Sequence, residues 1–122
     1  MQVGYVVLYV TEPDACFDFW VNKIGMEVRD STEVLDTSIY KVGFAGQPFS
    51  FELVPLKLME KNPEGLDLAT PSICFYVDDL NTEQKRLKNI GIDTSEISSR
   101  GGKNSFAFSD NEDRWFAVME SK

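Results

Sequence analysis

A chain of 122 residues, 43% of them apolar, is long enough to bury a substantial core, as one domain or as two small modules sharing that core. Its 20 acidic residues against 12 basic ones give a net charge of −8, which argues against nucleic acid or an anionic membrane surface as a partner. No apolar run approaches the roughly 20 residues of a membrane-spanning helix.

The first ten residues and the two cysteines both favour a cytoplasmic protein. The sequence MQVGYVVLYV lacks the basic leader and the small-residue cleavage site of a signal peptide. Cys16 falls at a predicted helix start and Cys74 in a predicted strand, with no CxxC motif. We therefore expect two free thiols in a reducing compartment, with a structural disulfide as the alternative.

The segment Tyr5–Met26 predicts a strand, a tight turn and a helix. Its first six residues are all apolar or aromatic, which favours a strand covered on both faces. Thr11 is expected to cap the helix, with Pro13 in the first turn, and Gly25 is expected to end it in a left-handed conformation. The spacing i, i+3, i+4, i+7 of an amphipathic helix is formed by Phe17, Trp20, Val21 and Ile24.

The next thirty residues predict strands joined by turns. The mixed sequence Glu27–Asp36 predicts two strand pieces with a turn at Asp30-Ser31 between them. Ser38–Phe44 and Phe49–Val54 alternate apolar and polar residues, and the intervening AGQP sequence supplies a turn. Consecutive strands connected in this way form an antiparallel meander.

A second strand–helix unit begins at Ser72, after the linking segment Pro55–Pro71. Tyr76 and Val77 repeat Tyr9 and Val10 at an offset of 67 residues. The Ile-Gly pair that ends each helix recurs at an offset of 66, because the second helix is one residue shorter. A period near half the chain length predicts a duplicated domain, with chance recurrence as the alternative.

The second half ends with a polar loop and two predicted strands. The loop is Ser95–Asn104, and its glycine-rich part, Ser98–Asn104, either closes over a cavity, binds an anion or is a flexible surface loop. Strands Ser105–Ser109 and Trp115–Glu120 follow, joined by a turn. We interpret each half as β–α–β–β–β, although only two strands are located after the second helix, and this order predicts an α+β fold.

Four segments and the element order together cover nearly the whole chain: YVTEPDACFDFWVNKIGMEV, FELV, SICFYVDDL and FSDNEDRWFAVME. They resemble the vicinal oxygen chelate superfamily, which groups glyoxalase, extradiol dioxygenases, and bleomycin- and fosfomycin-resistance proteins. The resemblance implies two βαβββ modules whose curled mixed sheets surround a shared concave cavity, often within a homodimer. The single domain would divide into module one at about 1–56, a linker at about 57–70 and module two at about 71–122.

The family resemblance also implies where a metal would bind in its metal-using members. Those ligand positions correspond here to Tyr5, Glu52, Ser72 and Ala117, and only Glu52 is a competent ligand. The chain contains no histidine. Because a catalytic divalent site needs about three protein ligands, we expect no metal, no cofactor and no glyoxalase, dioxygenase or metal-dependent fosfomycin chemistry.

Because successive side chains point to opposite faces of a strand, every second residue from an inward-facing position is predicted to face the cavity. The aromatic ones either stack on a planar or cationic ligand or pack in the core or a dimer. Glu52 either pairs with a cationic ligand, acts as a general base or is satisfied by nearby hydroxyls. Cys74 is either a nucleophile or an inert core thiol, and no histidine is present to activate it. The predicted ligand-binding residues are Tyr5, Tyr9, Glu52, Ser72, Cys74, Tyr76, Trp115 and Met119.

Three functions are compatible with this cavity. The leading hypothesis is a metal-independent small-molecule binding protein, similar to the bleomycin-resistance type, that sequesters a drug or toxic metabolite. The second is a metal-independent enzyme of lyase or isomerase type, acting on a small carbonyl compound with Glu52 as base and Tyr5 or Tyr76 as acid. The third is a non-catalytic dimeric interaction module with a filled cavity.

Overall fold

The computed structural model describes residues 1–121 as two compact units with the same strand order. The first unit is Met1–Pro71, and the second begins at Ser72. The sheet orders are β1-β4-β3-β2 and β5-β8-β7-β6, so each unit places its last strand beside its first. Both units carry a helix after their first strand, which confirms the predicted α+β fold of two βαβββ modules.

In the first unit the helical segment covers one face of a mixed sheet. β1 and β4 run parallel, and the other neighbouring strands run antiparallel. Trp20 is fully buried against Phe51 of β4, with ring centroids 5.0 Å apart. The elements are β1 (Val6–Val10), α1 (Pro13–Asp18), a π-helical segment (Phe19–Ile24), β2 (Glu27–Val34), β3 (Thr37–Gly43), β4 (Phe51–Pro55) and a 3₁₀ turn (Leu56–Met59).

The π-helical segment explains the change of repeat offset from 67 to 66. A π turn accommodates one more residue than an α turn, and α2 of the second unit is a regular α-helix of ten residues. The buried residues are Cys16, Phe19 and Trp20, whereas Val21 is only half-buried. The predicted apolar face of this helix is therefore wrong in part, because the prediction assumed a constant period of 3.6 residues. Gly25 ends the segment at φ 104°, as predicted.

Two further local predictions for the first unit are wrong. Glu12, not Thr11, occupies the cap position of α1, and it makes no side-chain capping bond. The expected turn at Asp30-Ser31 is instead part of one continuous strand, in which the pairing register shifts between Val28 and Asp30. A β-bulge absorbs the irregular pattern that suggested two strand pieces.

Arg29 lies in this bulge and ties down the connection between β3 and β4. Its guanidinium donates hydrogen bonds to the backbone carbonyls of Gln47 at 2.6 Å, of Phe49 at 3.0 Å and of Phe44. The guanidinium passes directly over Gly43. A Cβ at residue 43 would lie 2.5 Å from the Phe49 carbonyl oxygen and 2.8 Å from the Arg29 guanidinium carbon. This crowding is the physical reason for a glycine at the end of β3.

We expect Gly43→Ala to lower the free energy of unfolding by about 2 kcal/mol, because backbone and guanidinium must both move to admit the methyl group. Urea denaturation followed by circular dichroism measures the change. Gly4→Ala is the matched control, since a Cβ at that position meets nothing within 4 Å. Equal stability of the two variants would contradict the crowding argument.

The second unit repeats the architecture around a smaller helix. β5 and β8 run parallel, β7 is antiparallel to both β6 and β8, and Phe106, Phe116 and Val118 are buried in its core. Asp79 caps α2 by accepting a hydrogen bond from the Thr82 backbone at 3.1 Å. The elements are β5 (Cys74–Val77), α2 (Leu80–Asn89), β6 (Ser98–Arg100), β7 (Lys103–Ser109) and β8 (Trp115–Glu120).

The predicted glycine-rich loop at Ser98–Asn104 is a β-hairpin. Arg100 pairs with Lys103 across a two-residue turn formed by Gly101 and Gly102. Both glycines have positive φ, 59° and 78°, which suits the tight turn that matches strand twist. The sequence hid this strand because its three residues are all polar.

Among residues 1–121, none of the helices combines the length and the apolar character that crossing a membrane requires.

Candidate functional site

Each sheet has one face covered by its helix and one open face. In the first unit, Leu8 pairs with Leu53, and both are buried beneath the helix. Val7 pairs with Glu52 and points the other way, because successive side chains alternate across a strand. The eight predicted ligand-binding residues all occupy open-face positions, five on the second unit and three on the first.

The open face of the first sheet carries a charged row. Strand register places Asp30 on β2, Lys41 on β3, Glu52 on β4 and Val7 on β1 side by side. The Lys41 ammonium lies over the ring of Tyr5, 4.1 Å from the ring centroid, in a cation–π contact. Lys41 therefore belongs to the same surface as Tyr5, Tyr9 and Glu52, the three predicted site residues of the first unit.

Tyr5 and Tyr9 flank this row on the first strand. Tyr5 precedes β1 and is 43% exposed, and the hydrogen bond from the Val6 backbone to the Ser50 carbonyl, 3.1 Å, keeps it in register. Tyr9 is half-buried and pairs with Val54, one step beyond Glu52. The face thus presents two phenol rings on either side of one half-buried carboxylate.

On the open face of the second sheet a row of small side chains lies between larger ones, and we call this surface the trough. Cys74 pairs with Ala117, which in turn pairs with Ala107, so three small side chains form its floor. Trp115 stands at one end of this floor, on the same strand as Ala117. Tyr76 and Met119 pair with each other at the other end.

The aromatic side chains at the two ends of this trough are largely exposed to solvent. Tyr76 is 74% exposed and Trp115 is 53% exposed. Ser72, the remaining predicted residue of this unit, is exposed and precedes β5 on the same face as Cys74. The alternation of side chains along β5 and β8 thus places these residues on one surface: Ser72, Cys74, Tyr76, Trp115 and Met119.

Cys74 is not the core thiol that the sequence favoured. It is exposed on the floor of the trough, whereas Cys16 is the buried cysteine, and both are free. Partial desolvation of its sulfur nevertheless raises the pKa of the Cys74 thiol above its ordinary value. A raised pKa disfavours the thiolate at neutral pH, which makes Cys74 a slow nucleophile.

A buried ion-pair cluster holds the turn immediately before Trp115. The Asp110 side chain is fully buried and accepts hydrogen bonds from the backbones of Glu112 and Arg114, each at 2.9 Å. The Arg114 guanidinium pairs with Asp110 at 2.9 Å and with Glu112 at 2.8 Å. Burial lowers the pKa of Arg114, but its bonds to the two acids outweigh that effect and raise it above the ordinary value. The cluster therefore fixes the start of β8, from which Trp115 projects.

The positions that align with the family's metal ligands do not fit a divalent metal centre. Their donors are a phenol at Tyr5, a carboxylate at Glu52, a hydroxyl at Ser72 and a methyl at Ala117, of which one is a good ligand. Lys41 lies directly across from Glu52 and adds positive charge beside that carboxylate. Across residues 1–121, no three His, Cys, Asp or Glu side chains are grouped so that they could hold a metal ion.

Sequence reasoning missed Lys41 and the Asp110–Arg114 cluster. The alternation in Ser38–Phe44 was visible, but which residue of β3 faces Glu52 depends on the pairing register. The Asp110 side chain falls in a segment rich in acids, where nothing in the local pattern distinguishes a buried acid from a solvated one. An arginine four residues after that aspartate was the available signal.

The observed architecture defines a class of small α+β proteins built from paired βαβββ modules with open sheet faces. The profile of the Glyoxalase/Bleomycin resistance protein/Dioxygenase superfamily matches residues 2–118. The chain belongs to this superfamily. No curated protein sequence matches it.

Solved structures of the superfamily resemble the chain over nearly its whole length. TnmS3, an antibiotic binding protein from Streptomyces sp. CB03234, has a TM-score of 0.80 at 16% identity, over 100% of this chain and 97% of that one. A superfamily member from Sphaerobacter thermophilus DSM 20745 has a TM-score of 0.82 at 20% identity, over 99% and 98%. A lactoylglutathione lyase from Agrobacterium tumefaciens has a TM-score of 0.74 at 18% identity, over 98% and 93%. At such identities these likenesses establish the fold, and activity must be argued from the site.

Proposed function

We propose that the protein is a metal-independent binding protein that sequesters a small planar molecule. The observation that carries this proposal is the pair of exposed aromatic side chains, Trp115 and Tyr76, on the open face of the second sheet. Large apolar surface left in water is unfavourable, and a patch of it marks a binding surface. The fold shared with the antibiotic binding protein TnmS3 supports the same reading.

The trough has dimensions that suit a flat ligand. Trp115 lies four residues before Met119, the partner of Tyr76, so the two aromatic rings are separated by about 13 Å along the strands. The small side chains of Cys74, Ala107 and Ala117 leave the space between them open. A polycyclic ligand lying on this floor contacts aromatic edges at both ends, and each such contact contributes about 0.5–1.5 kcal/mol beyond buried area.

Titration with a panel of drug-like planar compounds, including bleomycin and mitomycin, tests the proposal through tryptophan fluorescence. Trp115 is exposed and reports on ligand contact, whereas Trp20 is fully buried and supplies a constant background. We expect saturable quenching by at least one planar compound. Unchanged fluorescence across the whole panel would contradict the proposed function.

A metal-independent lyase or isomerase acting on a small carbonyl compound is the second candidate. One observation favours it: within residues 1–121 the half-buried Glu52 carboxylate forms no hydrogen bond or ion pair. Because this carboxylate makes no such bond within the described residues, it is available to accept a proton from a substrate. The candidate acids are Tyr5, which lies on the same open face as Glu52, and Tyr76 of the second unit.

We expect Glu52→Gln to discriminate between the two candidates. In a binding protein the change weakens ligand affinity by about threefold, because no more than one polar contact is lost. In an enzyme that uses Glu52 as base, turnover falls by about a hundredfold or more. Glu60→Gln, which removes the same charge from an exposed acid in the linking segment, is the matched control.

Two further expectations from the sequence stay predictions. Homodimerisation is expected from the family resemblance, and size-exclusion chromatography with light scattering measures it. A cytoplasmic location is expected from the two free thiols, Cys16 and Cys74.

A further inference from the structure

Two cations lie side by side at one edge of the open face of the second sheet. Arg100 on β6 pairs with Lys103 on β7 across the turn formed by Gly101 and Gly102. Both cations are exposed, and in the part of the chain that the structure describes neither forms an ion pair. Like charges directly opposite each other on antiparallel strands are destabilising. The hairpin therefore holds two positive charges together, and no described acid pairs with either of them.

Strand register places this pair of cations on the same surface as the trough. On β7, Ser105 pairs with Met119, which marks one end of the trough. Lys103 lies two residues before Ser105, about 7 Å along the strand and on the same face, on the side away from Trp115. Arg100 shares that face, because directly paired residues of neighbouring strands point to the same side of a sheet. The two cations thus lie just beyond the Met119 end of the trough.

The rest of this face is uncharged. The other open-face positions of strands β5 to β8 hold cysteine, tyrosine, serine, alanine, tryptophan and methionine. Asp78, just after β5, accepts a hydrogen bond from the Ser121 hydroxyl at 3.3 Å and lies on the other side of β8 from Lys103. A chain with a net charge of −8 therefore presents a locally positive edge beside the trough, and such a field attracts anions.

We propose that the ligand of the trough is a planar anion, whose carboxylate or equivalent oxyanion group binds between Arg100 and Lys103. The inference rests on the proposed binding function and deepens it by naming the ligand class. Directly opposed residues have Cβ atoms about 5 Å apart, so the guanidinium and the ammonium can donate to the oxygens of one anionic group. The ring system of the ligand then lies on the trough floor, towards Trp115.

An oxyanion at this edge relieves a cost that the hairpin carries without it. It replaces the repulsion between the two cations with charge-assisted hydrogen bonds to both of them. The tight turn, in which Gly101 and Gly102 have φ of 59° and 78°, positions the cations before the ligand arrives, which lowers the cost of ordering them. A cationic ligand on the same floor would meet two like charges. The ligand class is therefore narrower than the planar-or-cationic expectation, and the hairpin takes up the anion-binding alternative for Ser98–Asn104.

Three pyrenes with the same ring system test this inference by titration, followed through the fluorescence of the probe. At neutral pH pyrene-1-carboxylate is anionic, pyrene-1-methanol is neutral and pyrene-1-methylammonium is cationic. We expect the wild type to bind the carboxylate about fivefold more tightly than the alcohol, and the ammonium most weakly. The double variant Arg100→Gln, Lys103→Gln keeps polar side chains and removes both charges. It should bind the carboxylate about fivefold more weakly and the alcohol with less than about a twofold change.

A matched control removes two cations from the other side of the same sheet. The double variant Lys85→Gln, Lys88→Gln changes the net charge by the same amount, but both lysines are exposed on α2, which covers the opposite face. We expect this control to keep the wild-type preference for the carboxylate.

Two results would overturn the inference and leave the binding function intact. One is a wild type that binds the three pyrenes equally well. The other is an equal loss of carboxylate preference in both double variants, because net charge and not the hairpin would then set the preference. Failure of all three pyrenes and of the drug panel to bind the wild type would overturn the binding function as well.

Discussion

Asp110→Asn is expected to lower the free energy of unfolding by about 3 kcal/mol, one of the two largest effects that we predict. The Asp110 side chain is fully buried, and its ion-pair partner Arg114 is only 11% exposed. Removing one member of a buried pair costs about 3–5 kcal/mol, and here Arg114 keeps a second partner, Glu112, at 2.8 Å. Asparagine keeps an oxygen that can accept the backbone bonds, so we expect the lower end of that range.

Urea denaturation followed by circular dichroism measures this effect. Asp113→Asn is the matched control, because it makes the same chemical change three residues away in the same turn. Asp113 is exposed and has a φ of 64°, which asparagine tolerates. We expect the control to change stability by less than about 0.5 kcal/mol. Similar losses in both variants would mean that Asp110 contributes no more than a surface acid.

Trp115→Ala is expected to weaken binding of a planar ligand by about thirtyfold, the second large effect. Aromatic anchors dominate binding energy, and truncating one costs about 2 kcal/mol or more. The variant should unfold with nearly unchanged stability, because more than half of the Trp115 side chain is already in water. This separation of affinity from stability distinguishes a ligand contact from a packing role.

Calorimetry, or the fluorescence of the ligand itself, is the appropriate measurement, since the variant lacks its reporter tryptophan. Trp115→Phe keeps an aromatic ring and should lose only about threefold in affinity. Leu66→Ala removes exposed apolar surface from the linking segment and should have no effect. If Leu66→Ala weakened binding as much as Trp115→Ala, the trough would not be the binding surface.

Apart from β6, the sequence by itself determined the order of elements and the covered face of each sheet. Unbroken apolar runs and period-two alternation act over a few residues, so they can be recognised without any partner. The pairs Leu8 with Leu53 and Phe106 with Val118 lie in the cores that this alternation predicted. The absence of histidine also followed from the sequence alone, and it excluded the usual imidazole ligands before any geometry was known.

The features that define the candidate site were decided only by the tertiary structure. Whether Lys41 faces Glu52, and whether Cys74 lies in a core or on an open floor, depends on strand register and on what covers each face. Register is fixed by contacts between residues far apart in the chain, and a shift of one residue would send every side chain to the opposite face. For the same reason Asp110 could be recognised as a buried acid only once the fold had placed Arg114 against it.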